Sequence, residues 1–143
     1  MLVSEMMLHP VPSPPKIILV VEDAEDCAAT IEIAMQSVAD VVVRVAGSAE
    51  QALRVLRDTP VAAIVTDIHL PSMDGFELVA HLRADPRYSN IPIVVISGDS
   101  DPATPNRAMR AGANAFFAKP YSPGAVRKKL EELTGLGGPD VPR

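Results

Sequence analysis

The chain has 143 residues with a formal net charge of −5, and 48% of the residues are hydrophobic but only 3% are aromatic. This length fits one domain of ordinary size, with a core built mainly of Val, Ile, Leu and Ala. The acidic balance and the scattered Lys and Arg residues argue against direct nucleic-acid binding, and no apolar stretch of the sequence approaches the ~20 residues that a membrane span needs.

The two ends of the chain differ in composition from its middle. Residues 1–15 are rich in proline and are expected to form an extended or disordered lead-in, without the pattern of a secretory signal. Residues 135–143 are rich in glycine and proline and are expected to form a tail. The folded domain is therefore predicted over residues 16–134.

Short apolar runs that stop at polar groups predict the strands of this domain. In chain order, the predicted strands lie at 17–21, 41–46, 62–66, 91–96 and 115–118. Several of these runs are almost continuous in Val and Ile, which is typical of strands that are buried on both faces of a parallel sheet.

Apolar residues at helical spacing predict helices between the strands. The predicted helices are 26–38, 48–58 with Ser48 as the N-cap, one after Gly75, a weaker one around Ala108 and a last one through Leu130. This alternation of five strands and five helices predicts an α/β fold, with a parallel sheet and helices on both of its faces.

The single cysteine, Cys27, rules out an internal disulfide and fits a reducing cytosol, so a cytoplasmic location is expected. Its helical spacing with Ile31 and Met35 favours a packed small hydrophobe over a reactive thiol. Neither this cysteine nor the three histidines show the spacing of a zinc site.

Polar groups stand at the ends of four predicted strands. They are Glu22-Asp23, Asp67, Ser97 and Lys119. Functional residues of open α/β sheets collect beyond the carboxyl ends of the strands, so these groups are expected to share one pocket.

This pocket has the chemistry to hold a phosphoryl group. Its carboxylates repel one another by about 4 kcal/mol for each pair ~4 Å apart at an effective dielectric of ~20, so Lys119 or a hard ion such as Mg²⁺ must share the site. A metal, the Ser97 hydroxyl and the Lys119 ammonium could meet the phosphoryl oxygens. Asp67 is the candidate nucleophile, because its strand lies centrally between the other contributors. The sequence has no glycine-rich phosphate loop, so ATP is not the expected donor.

These motifs resemble, in order and spacing, the receiver domain of bacterial two-component response regulators over about residues 16–134. The matching positions are Glu22-Asp23, Asp67 with Pro71 and Met73-Asp74-Gly75, Ser97-Gly98, Ala111-Gly112-Ala113, and Phe116 leading to Lys119-Pro120. The resemblance implies a flavodoxin-like, doubly wound (βα)5 fold whose five-stranded parallel sheet has the order 2-1-3-4-5.

The resemblance also implies how a phosphoryl group is handled. Asp67 would accept it from a phosphohistidine of a sensor histidine kinase or a histidine phosphotransfer protein. Ser97 and Lys119 would contact the phosphoryl oxygens, and Phe116 would turn inward when Ser97 moves. The Lys119-Pro120 bond would be cis, which an X-Pro bond adopts at modest cost.

A magnesium site is implied by the same resemblance. Asp23 and Asp67 would bind Mg²⁺ directly, Glu22 would bind it through water, and the main-chain carbonyl of His69 would be a further ligand. His69 and Asp99 would flank the path of the water that removes the phosphoryl group.

Some positions depart from the commonest family pattern. Phe116 lacks the phenolic hydroxyl that many family members carry, so any switch there must work by packing and rotamer. Pro102 fits the first turn of the fourth helix, and Pro105 is expected to delay or shorten that helix. The surface of the fourth helix, fifth strand and fifth helix is where the family docks partners or forms homodimers.

The function implied is a phosphorylation-driven switch that controls a downstream effector protein, not an enzyme beyond its own phosphorylation and dephosphorylation. One alternative is a pseudo-receiver, which keeps the fold and binds proteins independently of phosphate. A second is a small aspartyl-phosphate hydrolase, although that class needs an acidic residue shortly after its nucleophile and position 69 is His.

Overall fold

A central sheet of five parallel strands runs through residues 14–136, the part of the chain that this computed structural model describes. The strands are β1 (Lys16–Val21), β2 (Val41–Ala46), β3 (Ala63–Asp67), β4 (Ile93–Ser97) and β5 (Ala115–Ala118). Their order in the sheet is β2-β1-β3-β4-β5, which confirms the predicted flavodoxin-like α/β fold.

Five helices connect and cover these strands. They are α1 (Glu25–Met35), α2 (Ala49–Asp58), α3 (Gly75–Ala84), α4 (Thr104–Ala111) and α5 (Pro123–Thr134). Ser48 caps α2 as predicted, because its hydroxyl accepts the Gln51 N–H at 3.1 Å. Asp74 caps α3 through a capping box with Glu77, in which each side chain accepts the other residue's backbone N–H.

Apolar side chains fill both faces of the sheet. Leu19, Ile64 and Val95 belong to the core on one face, and their neighbours Ile18, Val65 and Ile96 belong to the core on the other. Every residue of β3 and β4 is buried, which explains their unbroken apolar runs. The polar residues that end these strands are therefore held by the most buried part of the fold.

Two predicted element boundaries differ from the structure by two residues or more, and several others differ by one. α1 ends at Met35, and the apolar Val38 is buried through a turn in which its N–H donates to the Met35 carbonyl at 3.0 Å. β4 begins at Ile93 because Pro92 has no N–H to donate, although the Pro92 carbonyl accepts the Ile64 N–H at 2.9 Å. In both cases the apolar run extends beyond the element because the extra residues pack against the core, and not because the helix or the strand continues.

The start of α4 corrects the placement of one proline. The helix begins at Thr104 with Pro105 in its first turn, so Pro102 lies ahead of the helix, and its expected first-turn position is wrong. Pro105 is tolerated there because the first N–H groups of a helix have no intrahelical acceptor. The helix starts late and spans only eight residues before it stops at Gly112, which has φ 120°.

Arg83 at the end of α3 ties together the loops at the amino end of the sheet. Its guanidinium donates to the carbonyls of Gly112 and Ile91 at 2.8 and 2.7 Å, and to Asn114 Oδ1 at 2.9 Å. The carbonyls of Tyr88 and Ser89 lie at 3.2 Å from the same group. Asn114 Oδ1 also accepts the Ile93 N–H, so the starts of β4 and β5 share this network.

We expect Arg83→Lys to lower the free energy of unfolding by about 2–3 kcal/mol, because an ammonium cannot reproduce the planar fork of donors and leaves carbonyls without partners. Chemical denaturation of the two proteins measures this difference. Arg87→Lys is the matched control, since Arg87 pairs with Asp85 and lies over the Tyr88 ring at the surface, where a lysine should change the stability little. Equal losses in the two variants would contradict a structural role for Arg83.

Most of the predicted lead-in (1–15) and tail (135–143) falls outside the described residues, so both stay predictions. α5 ends at Thr134, where Gly135 adopts a left-handed conformation with φ 72°. Within residues 14–136, no helix is both long enough and apolar enough to cross a membrane.

Candidate functional site

The carboxyl ends of four strands bring the predicted polar residues to one edge of the sheet. Glu22 follows β1, Asp67 ends β3, Ser97 ends β4 and Lys119 follows β5. The parallel registers pair Asp67 with Ile96 and Ser97 with Ala118, so these strands end at nearly the same level. The resulting pocket is built on rigid elements.

Lys119 joins two of the carboxylates directly. Its Nζ atom lies 2.6 Å from Asp67 Oδ2 and 3.1 Å from Glu22 Oε1. Asp67 is only 5% exposed and Glu22 only 3% exposed, so both ion pairs are largely shielded from water. The residue that carries positive charge into the pocket is therefore the lysine that the sequence indicated.

Asp67 is held in place by further hydrogen bonds. Its Oδ1 atom accepts the backbone N–H of His69 at 3.0 Å, and its main-chain carbonyl accepts the Thr66 hydroxyl at 2.9 Å. Gly75 packs against the same segment, and its N–H donates to the Ile68 carbonyl at 2.8 Å. One carboxylate oxygen of Asp67 is thus fixed by the backbone, and the other faces the lysine.

The pKa values of Glu22 and Lys119 are both raised, which disfavours the charged form of Glu22 and favours the charged form of Lys119. Burial raises the pKa of Glu22, with a smaller contribution from the Asp67 charge, although the Ala24 N–H and Lys119 act against this rise. Burial alone would lower the pKa of Lys119, but its hydrogen bonds to Asp67 and Glu22 raise it above the usual value. Lys119 therefore stays protonated at neutral pH.

We expect Glu22→Gln to increase the free energy of unfolding near pH 7 in the absence of divalent metal, because the variant does not bury a charge at this position. Burial has raised the folded-state pKa of Glu22, so ionised Glu22 destabilises the fold at any pH above that value. The advantage of the variant should shrink as the pH falls through the raised pKa, because protonation then neutralises Glu22 in the wild type.

Denaturation at a series of pH values checks this prediction. Glu32→Gln, on the exposed side of α1, is the control. Its difference from the wild type in the free energy of unfolding should not change with pH. A Glu22→Gln variant that is less stable at neutral pH would mean that the Lys119 ion pair outweighs the cost of burying Glu22.

Ser97 lies at the site, and its hydroxyl faces the loop that follows β4. It is buried, and its hydroxyl accepts the Asp99 N–H at 2.9 Å. The Ser97 carbonyl accepts the Lys119 N–H at 2.7 Å, so the two residues are joined through the backbone. The structure therefore brings Ser97 into the pocket wall, with its hydroxyl engaged by its own loop.

His69 and Asp99 flank the entrance to this pocket. His69 Nε2 lies 3.7 Å from Asp99 Oδ2, and the His69 side chain is mostly exposed. These two residues come from the loops after β3 and β4, so they bridge the segments that follow Asp67 and Ser97. Asp23, next to Glu22, is also exposed.

The two phenylalanines of β5 point to opposite faces of the sheet. Phe116 is half-buried against the core that contains Val95, its register partner in β4, and Phe117 packs in the opposite core. The Lys119-Pro120 bond is cis, as the resemblance implies. Phe116 thus lies two residues before the end of the strand that leads to Lys119.

Cys27 is a correction to the sequence prediction. It is half-buried and lines an open cavity of about 420 Å³ with Lys119 and Tyr121, and its Sγ atom lies 3.7 Å from Lys119 Nζ. Its helical spacing places it in the first turn of α1, where that turn borders the pocket. Periodicity alone could not distinguish this edge position from the core positions of Ile31 and Met35.

The donor set of the pocket fits a hard cation by its chemistry. Among residues 14–136, no group of three or more His, Cys, Asp and Glu side chains is arranged so that it could hold a metal ion. Mg²⁺ is commonly bound through only one or two carboxylates, with water completing its shell. Glu22 and Asp67 supply two such carboxylates, and Asp23 stands beside them.

Residues 18–131 match the family model of the response regulator receiver domain. The chain belongs to this family. Receiver domains act as switches in two-component signalling and are not conventional enzymes.

Individual relatives agree with this membership. A CheY homologue of Campylobacter jejuni, a chemotaxis protein, is 33% identical over 81 residues, which cover 57% of this chain and 62% of the relative. A 14.6 kDa protein of unknown role from Leptolyngbya boryana is 30% identical over 87% of this chain and 94% of its own length. The match therefore spans only part of the chemotaxis protein but nearly all of the second relative.

Two solved receiver domains share the fold and part of the sequence. One comes from a signal transduction histidine kinase of Syntrophus aciditrophicus, with 25% identity, a TM-score of 0.77, and coverage of 89% of this chain and 95% of the other. The other comes from a sensor histidine kinase of Pseudomonas aeruginosa, with 26% identity, a TM-score of 0.75 and coverage of 85% and 98%. That second receiver domain holds a magnesium ion in its active-site cleft.

Proposed function

We propose that this receiver domain is a phosphorylation-driven switch in which Asp67 accepts a phosphoryl group from a phosphohistidine of a partner protein. The contact that carries the proposal is the 2.6 Å approach of Lys119 Nζ to Asp67 Oδ2, at the carboxyl end of a buried strand. A carboxylate that is nearly buried, fixed by the His69 N–H and faced by an ammonium is a positioned nucleophile.

In the transfer step, an Asp67 oxygen attacks phosphorus and the P–N bond to the donor imidazole breaks. The imidazole keeps the electron pair of that bond, takes up a proton from solvent water and leaves as neutral imidazole. Lys119 lies where it can balance the negative charge that arrives with the phosphoryl oxygens, which is an electrostatic contribution. The Ser97 hydroxyl accepts the Asp99 N–H through a lone pair, so its own proton remains available for donation to the same oxygens.

Mg²⁺ is part of this proposal, held by Asp23, Asp67 and the His69 carbonyl, with Glu22 acting through water. When bound, the ion supplies positive charge that screens the carboxylates and the phosphoryl oxygens from one another. Support comes from the oxygen donors of the pocket and from the magnesium ion in the Pseudomonas aeruginosa receiver domain.

The conformational response would pass from Ser97 to β5. Movement of the Ser97 loop would open space toward which the half-buried Phe116 side chain turns, since the two residues lie on adjacent strands. Phosphorylation would shift the populations of two conformations and not create a new one. The altered surface would then be recognised by a downstream effector protein, and the protein would work in the cytoplasm with a histidine kinase or phosphotransfer protein as its donor.

Incubation with acetyl phosphate and Mg²⁺ tests the proposal directly. Intact-mass spectrometry should show the gain of one phosphoryl group, which is lost on treatment with hydroxylamine and is not formed when a chelator removes the metal. Beryllofluoride with Mg²⁺ should shift the amide resonances of the Ser97 loop and of β5. A chain that gains no mass and shows no shift would instead be a phosphate-independent binding module.

A further inference from the structure

β2 is an edge strand of the sheet in the described residues, and its outer surface is apolar. Val42 and Val45 are 42% and 44% exposed, which is unusual for large apolar side chains in this chain. The strand carries only one charged residue, Arg44. Exposed edge strands with few charges are templates for pairing with another strand, and natural proteins normally protect them.

The backbone of β2 directs hydrogen-bonding groups to its outer side, where another strand could pair with them. The carbonyls of Asp40 and Ala46 accept the N–H groups of Lys16 and Glu22 at 2.8 and 2.9 Å, so these even-numbered positions face β1. The backbone groups of successive strand residues alternate in direction, so Val41, Val43 and Val45 direct their N–H and C=O groups away from β1. Among residues 14–136, no strand lies beyond them.

We propose that a second copy of this chain occupies this edge, with the two β2 strands antiparallel and Val42 on the two-fold axis. In that register, Val41 is opposite the partner's Val43, and Val43 is opposite the partner's Val41. All four residues present outward backbone groups, so the two pairs can form four hydrogen bonds. The two sheets then become one continuous sheet of ten strands.

Charge complementarity selects a second copy as the occupant and fixes this register. Asp40 and Arg44 lie at equal distances along the chain from Val42, and both are exposed. In the antiparallel pair, Arg44 is opposite the partner's Asp40 on both sides of the axis. Arg44 is at a non-hydrogen-bonded position of β2, and Asp40 is the turn residue just before the strand, so the two opposite charges can approach each other across the axis and the edge is complementary to itself.

Other registers lack this match. An antiparallel pair centred on Val43 would place Arg44 opposite the partner's Val42 and Asp40 opposite the partner's Ala46, so neither charge would meet an opposite one. The proposed pairing also stands apart from the phosphoryl-transfer proposal, because neither Asp40 nor Val42 nor Arg44 belongs to the pocket around Asp67.

Sedimentation velocity over a range of protein concentrations tests this interface. The wild type should form a dimer that weakens as the salt concentration rises. Asp40→Lys and Arg44→Glu should each weaken self-association at least about tenfold, because each places like charges opposite one another across the two-fold axis. An equimolar mixture of the two variants should recover a heterodimer, since one edge is then wholly positive and the other wholly negative.

Control variants distinguish association through β2 from association through other surfaces of the chain. Asp40 has φ 61°, so Asp40→Asn, which tolerates that conformation, removes the charge without straining the backbone and should also weaken the dimer. Arg110→Glu, on the exposed surface of α4, and Asp67→Asn should dimerise like the wild type. The proposal is overturned if the wild type is monomeric at every concentration, if the mixture shows no heterodimer, or if Arg110→Glu dissociates the dimer equally.

Discussion

Asp67→Asn is expected to abolish phosphorylation by acetyl phosphate, with no gain of a phosphoryl group by intact mass under conditions that fully convert the wild type. The amide keeps the size of the carboxylate, so the packing around it is preserved. However, a neutral amide has no negatively charged oxygen to attack phosphorus, and it also loses the charge that holds Lys119 at 2.6 Å. The rate of phosphorylation of the variant should therefore be close to zero.

Asp74→Asn is the matched control for this experiment. Asp74 lies seven residues further along and caps α3, a role that Asn fills equally well, so the variant should be phosphorylated like the wild type. The beryllofluoride-dependent shifts should disappear in Asp67→Asn and persist in Asp74→Asn. An Asp67→Asn protein that still gains one phosphoryl group would place the acceptor at another residue and would end the assignment of Asp67.

Gly75→Ala is expected to have the largest effect on stability, a loss of about 3 kcal/mol in the free energy of unfolding. A Cβ atom at this position would lie 2.4 Å from the Asp67 carbonyl oxygen and 2.7 Å from Ile68 Cα. Both atoms belong to backbone, so no flexible side chain can move aside. The first turn of α3 would have to shift away from the end of β3.

Chemical denaturation measures this loss, and Gly124→Ala provides the control. Gly124 lies in the first turn of α5, where an added Cβ atom would only be in ordinary contact with Ser122 at 3.8 Å. Alanine is favoured over glycine in helices, so this variant should be unchanged or up to about 1 kcal/mol more stable. Equal stability of Gly75→Ala and the wild type would show that α3 can move from the site without cost.

Gly75→Ala should also slow phosphorylation, because the clash falls on the peptide that follows the Asp67 side chain. Phosphorylation rates must be compared at temperatures where both proteins are folded, as near-ultraviolet circular dichroism can verify. A folded variant with unchanged rate would separate the packing role of Gly75 from the placement of Asp67.

The strands and their polar ends could be predicted because they depend on local patterns. The runs that end at Asp67 and Ser97 are short, apolar and bounded by polar residues, and a parallel sheet gathers such ends at one edge. The caps at Ser48 and Asp74 are local in the same way. These features are encoded within a few residues of where they act.

Contacts between distant segments could not be predicted in this way. The approach of Cys27 to Lys119 joins residues 92 positions apart, and the bond between Arg83 and Asn114 joins residues 31 positions apart. Neither has a spacing that marks it in the sequence. Two prolines lie near the start of α4, and the sequence does not show which of them stands in the first turn, whereas the structure places Pro105 there and leaves Pro102 outside.

The network around Arg83 determines how β4 and β5 can move. It fastens both strands at their amino ends, through Asn114, Ile91 and Gly112, whereas Ser97 and Lys119 stand at the opposite ends. The amino ends of β4 and β5 are therefore held to one side chain, and any rearrangement around Ser97 and Lys119 would have to be accommodated at the carboxyl ends of the two strands and in the loops that follow them.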